Sequence, residues 1–96
     1  MTDADLMEQQ TRGQYAMSLL ENELLKEALE AIEREVTEQW VSCPARDKDG
    51  KEACWQLIKT SRKFRDILTV YIETGKLATD QLKRFEKTGA LRRVFG

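Results

Sequence analysis

Between Leu20 and Trp40 the apolar residues Leu20, Leu24, Leu25, Ala28, Leu29, Ile32, Val36 and Trp40 recur at helical spacing. No other feature constrains the fold as strongly. An amphipathic helix repeats its buried positions every three or four residues, whereas a half-buried strand alternates every two. The residues in between include Glu21, Glu23, Glu27, Glu30, Glu33, Glu35 and Glu38. Glutamate favours helix and is depleted in strands, so propensity and pattern agree. Three starts for this helix are open. Thr11 with Gln14 and Ser18 with Glu21 have capping-box spacing, and Asn22 precedes an acidic turn as an N-cap would. Gly13 weakens any helix that runs through it, which sets residues 1–10 apart as a mobile N-terminal segment or a separate short helix.

Pro44 restricts Cys43 to extended backbone, so the first long helix, about 14–42, stops near Ser42. A second helical stripe, Cys54, Leu57, Ile58, Ser61, Phe64, Ile67, Leu68, Tyr71 and Ile72, marks a helix over about 51–74. Gly75 directly after it reads as a left-handed C-terminal glycine. A short third helix then follows over about 79–88, with Thr79 as N-cap, and residues 90–96 form a C-terminal tail. The expected architecture is all-α: an antiparallel helical hairpin with a short third helix, forming a single helical domain over 11–89. Trp40 and Trp55 would cover its closed end. Matched helices of this kind bury only their facing sides. Leu20, Leu24, Phe64, Ile67 and Tyr71 are therefore expected to meet a second subunit or a partner protein.

Composition matters at two points. Ninety-six residues give a core only just large enough to stand alone, which favours oligomerisation. The net charge of −1 conceals a division, since residues 1–50 carry twelve acids and five bases and residues 51–96 carry five acids and eleven bases. Complementary halves select pairing and orientation more than they add stability. No stretch approaches the roughly 18 apolar residues of a membrane span, and the start "MTDADLMEQQ" is unlike a signal or transit peptide. The expectation is a protein that stays in the cytoplasm, or in a particle assembled there, with no membrane contact.

The stretch "WVSCPARDKDGKEACW" concentrates the residues that chemistry would need, and it reads as a turn. Cys43 and Cys54, eleven positions apart across the turn, could form a disulfide, but a cytoplasmic protein keeps such thiols reduced. They make no zinc site, because that needs four Cys or His ligands and the chain has no His. "DKDG" lacks the first and last ligands of a calcium loop. Without His or a glycine-rich phosphate loop, neither a nucleophilic couple nor a nucleotide site can be assembled from the usual parts. No catalytic residue, metal or cofactor is expected. Lys59, Arg62, Lys63, Lys83, Arg84, Arg92 and Arg93 could contact phosphates without reading sequence. The competing account is that these charges answer the acidic first helix.

The blocks "LLENELLKEALEAIEREVTEQW" and "CWQLIKTSRKFRDILTVYIETGKLA" resemble small helical proteins encoded by tailed bacteriophages and prophages. The shared features are a Leu-Leu-Glu-Asn opening, a Trp closing the first helix, a polar turn and an "ETGKLA" ending, over Leu19 to Ala78. The resemblance implies a phage product associated with head and packaging genes and brings no catalytic residues with it. The expected function is a non-enzymatic interaction protein in particle assembly, genome packaging or attachment to a virion protein, binding itself, a larger phage protein, or both. The alternatives are a nucleic-acid-binding accessory protein and a small phage inhibitor of a host protein.

Overall fold

A computed structural model describes the backbone from residue 2 to residue 95 and the side chains as far as Lys87. The described residues form three helices and no strand: α1 (Asp3–Glu21), α2 (Glu23–Ser42) and α3 (Lys48–Phe95). The packing divides them into two compact units. Unit 1 comprises Met1–Ser18 with Leu68–Gly96, and unit 2 comprises Leu19–Ile67.

The segment set apart as mobile is helical from Asp3. Its start is a reciprocal cap: the Asp5 amide donates to the Thr2 hydroxyl, and the Thr2 amide donates to the Asp5 carboxylate, both at 3.2 Å. This satisfies two end donors at once and holds the Asp5 carboxyl below its usual value, chiefly through the Thr2 backbone bond. Packing anchors the helix, for Leu6 is only 1% exposed.

A helix running unbroken over 14–42 is not what forms. Asn22 interrupts it with extended backbone (φ −69°, ψ 120°), and its side-chain oxygen accepts from the Leu25 amide at 2.9 Å. Of the three candidate starts, Asn22 caps α2. Ser18 instead turns its hydroxyl back to the Gln14 carbonyl within α1. α2 ends at Ser42, with Cys43 extended ahead of Pro44. The turn closes through the Asp47 amide on the Pro44 carbonyl at 2.9 Å, and the Asp47 carboxylate accepts from the Gly50 amide at 3.0 Å. That cap starts α3 at Lys48, three residues before the expected start.

The expected break at Gly75 is absent. No residue among those described has positive φ, and α3 continues through Gly75 and Thr79. Thr79 is not an N-cap; its hydroxyl donates to the Gly75 carbonyl and accepts from the Gln10 side chain at 3.0 Å. The reason lies in unit 1, where Gly75 and Gly13 bring two backbones into contact. A Cβ on Gly13 would lie 2.9 Å from both the Gly75 Cα and the Tyr71 carbonyl oxygen. A Cβ on Gly75 would lie 2.9 Å from the Gly13 Cα and 3.1 Å from the Gln9 carbonyl oxygen. Only the absence of a side chain on both residues lets the two backbones come this close. Ala16, Leu68 and Ala78 are buried around the crossing.

Unit 2 is built from side chains. Leu29 and Val36, seven residues apart on α2, are buried, as is Cys54 on α3. Arg62 reaches Glu33 at 2.9 Å and Lys51 reaches the Trp40 carbonyl at 2.8 Å, so contacts between α2 and the start of α3 run in opposite sense along the chain.

Candidate functional site

The strongest candidate is the apolar surface of unit 2. The five residues expected at an interface fall in both units. Leu20, Leu24, Phe64 and Ile67 belong to unit 2, and Tyr71 belongs to unit 1. Tyr71 is half-buried there, with the Arg12 guanidinium 4.6 Å from its ring centre, a cation–π contact inside unit 1. Leu20 is half-buried. Leu24 is 74% exposed, Phe64 45% and Ile67 40%.

Helix geometry explains these values. At about 100° per residue, Leu24 is turned about 140° from Leu29, away from the buried line through Leu25, Leu29 and Val36. Ile32, one turn from both Leu29 and Val36, borders that line and is exposed. On α3, Leu57 and Phe64 are seven apart and Ile67 is three further on, so they share a face beside buried Leu68; all three are exposed. Glu33 and Arg62 close the other side of the helix pair.

A second feature lies at the turn. Thr37, Trp40, Ala45, Lys48, Lys51, Glu52, Trp55 and Ile58 line an open groove of about 510 Å³. Both tryptophans stand half-exposed rather than covering a core layer. The Lys51 ammonium lies 4.0 Å from the Trp40 ring centre while donating to the Trp40 carbonyl, and the Lys59 ammonium lies 5.9 Å from the Trp55 ring centre. Sequence reasoning noted both tryptophans but missed their lysine partners. The spacing of Lys51 and Lys59, one turn either side of Trp55, was the available signal for one of them.

The basic residues singled out as phosphate contacts are divided between the units. Lys59, Arg62 and Lys63 fall in unit 2, and Lys83 and Arg84 in unit 1. Arg62 is engaged by Glu33 and Lys59 stands over Trp55. The side chains of Arg92 and Arg93 lie outside the described residues. Cys43 and Cys54 are free thiols. Partial burial, and then the hydrogen bond to Asp47, push the Cys43 thiol above its ordinary pKa, the reverse of nucleophile activation. Among the described residues no three His, Cys, Asp or Glu side chains gather as metal ligands, and no helix is long and apolar enough to cross a membrane. No protein-family model, curated protein or solved structure matches the chain.

Proposed function

We propose that the chain is a non-enzymatic interaction protein whose α2 and early α3 form a helical hairpin covered by another protein chain. The setting implied by the phage resemblance is particle assembly, genome packaging or attachment to a virion protein. One observation carries this reading. On α2 and the unit 2 part of α3 eight large apolar side chains are exposed (Leu24, Ile32, Trp40, Val41, Trp55, Leu57, Phe64 and Ile67), while Leu29, Val36 and Cys54 are the buried apolar residues there. Single exposed apolar groups are ordinary on a protein surface, but an excess concentrated on two adjacent helices is characteristic of an interface.

The test is size-exclusion chromatography of the tagged chain in extract of the cell that produces it. Wild type should elute above monomer mass. Ile67→Glu and Leu24→Glu should move to the monomer position with helicity retained, and Glu30→Lys should behave as wild type. A monomeric wild type, or equal effects from all three substitutions, overturns the reading.

A further inference from the structure

We propose that the apolar face of unit 2 is closed by a second copy of this chain, with α2 of each copy laid over α3 of the other about a two-fold axis running along the helices. This rests on the interaction reading above and names its partner.

The in-chain ion pair orients the face. Glu33 and Arg62 meet at 2.9 Å on one side of the helix pair. Moving around α2 away from Glu33, the wheel passes the buried line of Leu29 and Val36, then Ile32 and Ala28, and then Glu35. Moving around α3 away from Arg62, it passes buried Cys54, then Leu57 and Phe64, then Ile67 and Lys63. The side opposite the ion pair is thus an apolar strip framed by an acid on one helix and a base on the other. Glu35 and Lys63 are both exposed, and neither has an ion-pair or hydrogen-bond partner among the described residues.

Charge selects which helix faces which. α2 carries six acids and two bases, and α3 as far as Ile67 carries six bases and three acids. Stacking α2 on the partner's α2 would set like charge against like, whereas crossing them sets opposite charges together. A two-fold axis along the helices produces the crossed arrangement, and it keeps every residue at its own height. Heights follow from the in-chain pair. Glu35 is two residues beyond Glu33 and Lys63 one beyond Arg62, on helices running in opposite sense. Their offset is three residues, about 4.5 Å at 1.5 Å per residue, within reach of two long side chains. Each dimer forms the contact twice, and the two-fold operation closes without leaving an unpaired face to propagate.

The experiment uses purified full-length chain in sedimentation equilibrium, with circular dichroism as the check on folding. Wild type should have twice the 11.1 kDa chain mass at tens of micromolar. Glu35→Lys alone, or Lys63→Glu alone, sets like charges together at both symmetric contacts and should weaken the dimer about tenfold. Mixing the two variants makes both contacts of the heterodimer complementary again, so association should return to the wild-type range. Neither variant can be repaired within its own chain, and restoration on mixing therefore reads contact between copies. A monomeric wild type, unchanged single variants, or no restoration on mixing overturns the proposal. If the purified chain is a monomer while the chain in extract still elutes large, the second copy is excluded and the interaction reading stands.

Discussion

Unit 1 and unit 2 share α3 and solve the packing problem in opposite ways. In unit 1 two glycines bring backbone against backbone, with alanines and two leucines buried around them. In unit 2 the contacts are made by long side chains, an Arg–Glu pair and two lysine–tryptophan stacks, and many apolar groups remain outside. Close backbone approach tolerates almost no added volume at the crossing, while unit 1 still exposes Met7, Tyr15, Met17, Val70, Leu77 and Phe85 away from it. Side-chain packing tolerates change and leaves surface that calls for another chain. One unit is specified at its crossing by what two residues lack, the other by the side chains that meet.

The comparison breaks first, and most severely, at the glycines. Gly13→Ala or Gly75→Ala forces a methyl to within 2.9 Å of opposing backbone atoms that cannot swing aside. The expected cost is about 1–3 kcal/mol, read as a lower melting temperature by circular dichroism. In an exposed helix the same change would stabilise by up to about 1 kcal/mol, so the sign alone decides. Stabilisation by either alanine would show that the helices do not touch there.

A smaller effect is expected at the joint between α1 and α2. Asn22→Ala removes the acceptor of the Leu25 amide and should cost about 1 kcal/mol, while Asn22→Ser should cost little. If alanine and serine are equivalent in denaturant titration, Asn22 is not acting as a cap.

The smallest effect belongs to the turn of unit 2. A thiol whose folded pKa is raised stabilises the fold at pH below the unfolded value near 9.0, and that contribution disappears as pH rises through the folded value. In a Cys54→Ser background, the alkylation rate of Cys43 should rise with a midpoint above 9.0 and fall back to that of a free thiol in Asp47→Asn with denaturant added. A midpoint at or below 9.0 in the folded protein would contradict the geometry.

These contrasts also explain how much of the molecule was legible in its sequence. Unit 2 was written in side chains. The line through Leu25, Leu29 and Val36 is in helical phase, Pro44 marks its end, and Leu24, Phe64 and Ile67 stood out as surplus apolar residues. Leu24 was grouped with the stripe by sequence spacing and expected to need a cover, and its phase turns it away from Leu29. Unit 1 was nearly silent. α1 buries Leu6, Gly13 and Ala16, which make no apolar stripe. Gly13 and Gly75 read as a weak point and a stop because glycine is costly in an isolated helix. Their value appears only when each finds the other across 62 residues of chain. The Thr2–Asp5 cap was missed for a simpler reason: an aspartate stands where the usual box has glutamate or glutamine.

The placement of the aromatic residues has an optical consequence. The chain has two tryptophans and two tyrosines. Trp40 and Trp55 both line the groove at the turn of unit 2, and Tyr15 and Tyr71 both belong to unit 1. Indole emission, excited at the red edge where phenols do not absorb, therefore monitors unit 2, and the phenol bands of the second-derivative absorbance, resolved from those of indole, monitor unit 1. Each half of the molecule carries its own chromophore. Whether the two halves melt together or in sequence can be read from the unaltered protein as two differently coloured unfolding curves.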